Sequence, residues 1–130
     1  MARNTRTYSD FDLNFLAHPA KKDLVRKYDD NAIKQSLKNL LLTRNFERPF
    51  HSEIGSPIRR LMFEPAGPMT SVVMKRAIID VVNNFEPRVK IIDVNVRDNI
   101  DNNVIFVRIE YQIINTSDNM FLDLTLERTR

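Results

Sequence analysis

The chain has no cysteine, no tryptophan, two glycines and two histidines in 130 residues. Without cysteine there is no disulfide, no thiolate metal site and no thiol nucleophile. His18 and His51 are too few for a histidine-rich metal cluster. Gly55 and Gly67 lie twelve residues apart, so neither a Rossmann nor a P-loop phosphate cradle can be built from them. No apolar run approaches the roughly 18 residues of a membrane span. No apolar stretch follows Arg3 and Arg6, so a secretory signal is not expected, and the protein is placed in a cytoplasm or in an assembly built there. These absences argue against cofactors, metals and a membrane partner.

What remains is ordinary for one soluble, globular domain: 42% hydrophobic and 28% charged residues. The net charge of +3 is unevenly spread. Residues 1–60 hold 12 lysines and arginines against 7 acids, and residues 61–130 hold 8 against 10. Such polarity can orient a protein against partners. It does not point to nucleic acid, because the basic residues are scattered among acids without a stripe of interleaved aromatics.

Hydrophobic spacing orders the chain. The first thirty residues read as an irregular polar arm that Tyr8, Phe11 and Phe15 would pin to the body. Asp29, Asp30 and Asn31 then supply caps and negative charge, and Ile33, Leu37, Leu40 and Leu41 recur at helical spacing, predicting a helix over 31–43. Ser56-Pro57 suggests an N-cap and first helical residue for a short helix over 57–63, with Ile58, Leu61 and Met62 inward. Gly67-Pro68 reads as a turn, and Thr70 or Ser71 as the cap of the longest helix, whose apolar face is Met74, Ile78, Val81 and Phe85. From Arg88 the period becomes two. Parity changes at Ile91-Ile92, which predicts a bulge, and residues 97–103 read as a hairpin loop. Ile105, Val107, Ile109, Tyr111 and Ile113 share one strand face, and a turn at 115–119 leads to a third strand. The prediction is α+β: N-terminal helices packed on one face of a three-stranded antiparallel meander, in a single domain with a helical part over 31–85 and a sheet over 88–127.

Where the last helix meets the sheet, Asn84-Phe85-Glu86-Pro87-Arg88 sets an acid and a base two residues apart on a corner stiffened by proline. Such a corner suits docking better than reaction. The bland alternative is a helix-to-strand turn with a solvated ion pair, worth roughly 0–1 kcal/mol.

Taken in order, Tyr8-Ser9-Asp10-Phe11-Asp12, Arg48-Pro49-Phe50 with Gly55, Leu61-Met62-Phe63-Glu64 and the Glu86-Pro87-Arg88 corner resemble the gene-25-like baseplate wedge proteins of contractile-tailed, T4-like phages. The TssE proteins of type VI secretion baseplates are more distant relatives. The resemblance spans nearly the whole chain. It implies a structural protein of the virion tail baseplate, near the tail tube, that forms the first platform for the contractile sheath. Its partners would be other wedge subunits, the sheath protein and the tail tube region. It implies that Glu86, Pro87 and Arg88 clamp onto the helical core bundle of neighbouring wedge subunits. Tyr8, Asp10, Arg48, Pro49, Phe50 and Gly55 carry the remaining family motif; Phe50 is expected in the core and Gly55 at positive φ.

Sheath initiation has a physical correlate. The outer strands of a meander carry unpaired backbone groups, and an arm from a sheath subunit could add a strand there. Met120, Phe121, Leu122, Asp123, Leu124, Thr125, Leu126 and Glu127 form the candidate edge, with Asp123 and Glu127 discouraging premature pairing. An edge merely protected by charge is the alternative.

A lysozyme-like peptidoglycan hydrolase is the second functional reading, with Glu53 and Glu64 as its least implausible carboxylate pair. The lack of tryptophan and a scant 8% of aromatic residues argue against a sugar-binding cleft.

Overall fold

The computed structural model describes residues 8–114 and 116–128, and the chain divides into two compact units, Met1–Ser36 and Leu37–Arg130.

In the first unit, β1 (Ser9–Phe11) and β2 (Arg26–Tyr28) pair antiparallel, Asp10 facing Lys27, where an irregular arm was expected. The ordering group is Asp12, 8% exposed. Its carboxylate accepts the Asn14 N–H at 3.1 Å and lies 3.2 Å from Lys27 Nζ, while its own N–H donates to the Val25 carbonyl. These bonds turn the chain back on itself as an Asx turn does. Of the three expected aromatic pins, Tyr8 is half-buried and the two phenylalanines are not. Phe11 and Phe15 stay exposed, and the Arg26 guanidinium lies over the Phe11 ring at 5.8 Å. Polar bonds do the anchoring: Gln35 Nε2 donates to the Phe11 carbonyl at 2.7 Å, and Tyr8 and Asp29 bond reciprocally.

α1 (Asp29–Leu42) begins in the first unit and ends in the second. Asp29 and Asp30 occupy its first turn, where the helix dipole favours negative charge, and Ile33, Leu37 and Leu41 are fully buried. Past a loop over 44–56 comes α2 (Ile58–Leu61), shorter than expected, with Ile58, Leu61 and Met62 buried. Its N-cap is Pro57, not Ser56, and the first helical residue is Ile58. The Ser56 hydroxyl instead donates to the Leu41 carbonyl at 2.6 Å, satisfying an acceptor left over at the end of α1, and accepts the Ile58 N–H at 3.4 Å.

α3 (Pro68–Phe85) starts two residues before the expected cap. Pro68 is its first residue, a position where a missing N–H costs nothing, so the proline read as a turn former opens the helix. Thr70 donates back to the Pro65 carbonyl and does not cap. Met74, Ile78, Val81 and Val82 are buried, and α3 packs along the following strand. Lys75 crosses to Asp93 at 2.8 Å.

The sheet has the order β3–β4–β5, all antiparallel: β3 (Val89–Asn99), β4 (Val104–Ile113) and β5 (Asn119–Glu127). The register shifts between Ile91 and Asp93, so Ile92 is the bulged residue and is exposed. The first hairpin is tighter than expected: Arg97 and Asn99 still pair in the ladder, and the loop shrinks to 100–103, with Asn103 at φ 53°. Val94 on β3, Ile105, Val107, Ile109, Tyr111 and Ile113 on β4, and Leu122, Leu124 and Leu126 on β5 are all buried, so alternate residues give the sheet one apolar face.

Candidate docking site

Glu86 is the last residue bonded into α3, its N–H donating to the Val82 carbonyl, and it is 4% exposed. Its φ of −126° is the extended geometry that a following proline demands. The Arg88 guanidinium grips the Glu86 carboxylate in a two-point fork, Nε to Oε1 at 2.6 Å and Nη2 to Oε2 at 2.8 Å, and Pro87 between them is exposed. The acid and the base therefore meet each other. They close the corner, and Pro87 is its exposed point. The Arg88 carbonyl then accepts the Ile114 N–H, tying the corner to the end of β4.

The two outer strands are unequal. β3 carries the bulge and the Lys75–Asp93 bridge, and both features blunt an edge. β5 runs nine residues without a register shift, and among the described residues its strand partner is β4. The Arg128 N–H donates to the Asn103 carbonyl at 2.8 Å while Val104 faces Glu127. Antiparallel alternation then turns the amides of Leu122, Leu124 and Leu126 toward β4 and those of Phe121, Asp123, Thr125 and Glu127 outward. Asp123 is not a free edge charge. Arg108 holds it through two bonds of 2.6 and 3.0 Å, and this pairing keeps its carboxyl below the usual range. The corner and β5 occupy opposite margins of the sheet with β4 between them.

Of the remaining motif residues, Tyr8 is half-buried and bonded to Asp29, and Asp10 is exposed, its carboxylate accepting the Phe11 N–H. Arg48 and Pro49 are exposed. Phe50 is not in the core; it is 100% exposed at φ 67°. Gly55 is buried but not at positive φ. A Cβ there would stand 2.5 Å from the Arg44 carbonyl oxygen and 2.8 Å from the Asn45 nitrogen, so glycine is required by close backbone approach. That approach accompanies the bridge between Arg44 and Ser56, which closes the 44–56 loop at its base. Phe46, 82% exposed, was overlooked in the sequence although a lone aromatic in so polar a run is a signal.

Glu53 and Glu64 are both exposed. A hydrogen bond from its own backbone, then one from His51, lowers the Glu53 carboxyl. A glycosidase acid needs the opposite shift.

The baseplate wedge protein gp25 family model matches residues 27–118. The chain belongs to that family. Baseplate wedge protein gp25 of Enterobacteria phage T4 is 32% identical over 120 residues, covering 92% of this chain and 90% of its relative. Solved structures share the fold. A candidate tail lysozyme from Geobacter sulfurreducens superposes with a TM-score of 0.72 at 19% identity, over 78% of this chain and 92% of that one. A chain of the type VI secretion system baseplate complex gives 0.65 at 18% identity, over 76% and 93%. One from the postcontracted pyocin R2 baseplate gives 0.59 at 16%, over 94% and 100%. This gp25 family member is thus a structural baseplate wedge protein of a contractile tail, located in the virion tail baseplate. The family match includes the Glu86-Pro87-Arg88 corner and the 44–56 loop, and it ends before β5.

Proposed function

We propose that the chain docks on the helical core of the wedge through the Glu86-Pro87-Arg88 corner and initiates the sheath by accepting a strand along β5. In this reading the helices cover the apolar face of the sheet and leave the β5 margin open. The partners are neighbouring wedge subunits at the corner and the sheath protein at β5, beside the tail tube. The observation that carries it is β5 itself: unbulged, with four outward amides and no second strand partner among the described residues. The corner adds a preorganised contact. Glu86 and Arg88 are already locked together, so a partner meets a fixed shape and little ordering entropy is lost on docking.

Thr125→Pro tests the strand. Its amide points away from β4, so proline removes an outward donor and breaks no bond within the sheet. Baseplates should still assemble, but without sheath by electron microscopy. Full-length sheaths on variant baseplates would refute the strand assignment. Pro87→Lys tests the corner separately, because it alters the exposed point and spares the ion pair. Loss of co-purification with wedge subunits is expected, and normal co-purification would remove the corner from the interface.

The observations favour this reading over hydrolysis, for which Glu53 and Glu64 are both exposed and the Glu53 carboxyl is lowered.

A further inference from the structure

A groove of about 410 Å³ lies between the base of the 44–56 loop and α2, with Arg44, Phe46, Pro57, Arg59, Arg60 and Phe63 among its walls. Among the described residues, no acid lines it. Phe46 and Phe63 are 82% and 66% exposed. Among the described residues, none of the three arginines is in an ion pair, although other arginines of the second unit, at 88, 108 and 128, are. Phe46 also sits at φ 67°, a strained backbone for a bulky L-residue that costs on the order of 1–3 kcal/mol. That conformation is held in place at the base of the loop by the Arg44–Ser56 bridge and the close approach at Gly55. The loop thus spends stability to hold an aromatic ring in water beside three arginines. The nearby Glu47 carboxylate accepts the Arg44 backbone N–H at 2.7 Å and, among the described residues, pairs with none of their guanidinium groups.

We propose that this groove is a docking site for an acidic protein segment carrying one apolar anchor residue. The anchor seats between Phe46 and Phe63, and the acids meet Arg44, Arg59 and Arg60, where arginine's planar fork suits carboxylates. Charge complementarity fixes the sign of the partner. The groove's volume suits a few side chains, and its two phenylalanines are not the extended track of stacking rings that a single-stranded nucleic acid uses. A second depression of about 220 Å³ shares Arg44, Arg59 and Phe63 and reaches Thr125, Leu126 and Glu127. Glu127 closes that end with negative charge, so the acidic part of the segment belongs at the Arg59–Arg60 end. The site uses neither the Glu86–Arg88 corner nor the outward amides of β5, and it stands or falls apart from them.

The test is fluorescence anisotropy of the full chain with a dye-labelled peptide of glutamates around a single central phenylalanine. Binding should weaken about tenfold in Arg59→Ser/Arg60→Ser and similarly in Phe46→Ser, with thermal melts matching wild type because these side chains are exposed. Arg59→Glu/Arg60→Glu should reverse the preference, taking up the matching lysine peptide and losing the glutamate one. Absence of binding by the wild-type chain would overturn the proposal. So would equal binding by the arginine variants, or tighter binding of an oligothymidylate than of the peptide.

Discussion

Glu86 and Arg88 make their ion pair with unequal exposure. The Glu86 side chain is 5% exposed, whereas that of Arg88 is 31% exposed. The two truncations therefore differ. Removing Arg88 leaves a carboxylate in the interior, and breaking a buried pair this way costs roughly 3–5 kcal/mol. Removing the charge of Glu86 leaves a guanidinium that water can still reach. We expect Arg88→Ala to lower stability by about 3 kcal/mol and Glu86→Gln by less than half of that, measured by urea unfolding. Equal losses would mean that the carboxylate is hydrated in the native state. The charge spacing was legible in the sequence, but its alternatives were not decided there. Burial replaces the solvated pair with a fork whose carboxylate faces inward. Gly55 has the same history. Its identity signalled a backbone constraint, yet the neighbour is the Arg44 carbonyl, eleven residues back, and single-residue reasoning supplied a positive φ instead. Gly55→Ala should destabilise by about 2 kcal/mol or more, since backbone must move to admit a methyl group. An unchanged melting temperature would show that the loop base relaxes freely.

At the scale of elements, the strands were read more accurately than the loops. Period two survives in any environment with one buried face, so β4 and β5 and the bulge at Ile92 were visible in the spacing of Val, Ile and Leu. The start of α3 was misplaced because Gly67-Pro68 serves equally as turn or as helix entry; the carbonyl that Thr70 binds, at Pro65, decides the matter. The loops were misread for a stronger reason. Phe50 was assigned inward by default and Phe46 was passed over, whereas both stand at positive φ with their rings in solvent. The β1–β2 ribbon escaped notice because three-residue strands have too few repeats to show a period. The alternation along β5 has a direct consequence for exchange. In the free protein the amides of Leu122, Leu124 and Leu126 should exchange slowly, and those of Phe121, Asp123 and Thr125 at least tenfold faster, as measured by amide-resolved hydrogen exchange. Adding a strand should protect the second set. Uniform protection in the free chain would mean that the edge is already covered.

For the molecule as a whole, acid sensitivity follows from how its carboxylates are held. Asp93, Asp123, Asp12 and Glu53 are kept below their ordinary range. The Lys75 ammonium bonds Asp93, the Arg108 guanidinium bonds Asp123, the Asn14 amide bonds Asp12, and Glu53 accepts from its own backbone and from His51. A carboxyl depressed in the folded state binds its proton less readily there than in the unfolded chain. Between the two values the unfolded state carries more protons, so stability rises with pH across that window. The contribution is complete above the unfolded carboxyl value and is lost as pH falls through the folded one. Melting temperature should therefore be flat from about pH 7 down to about pH 5 and fall steadily from about pH 4 to about pH 2. Asp93 and Asp123 both lie on the sheet and touch its two margins, so Asp93→Asn/Asp123→Asn should make the acid limb shallower without moving the plateau's onset upward. Added salt should flatten the same limb, because exposed pairs are screened within about 10 Å at 0.1 M ionic strength. A melting temperature that rose on acidification would require groups with raised values to dominate, and would contradict the assignment of these four carboxylates as proton-refusing in the native fold.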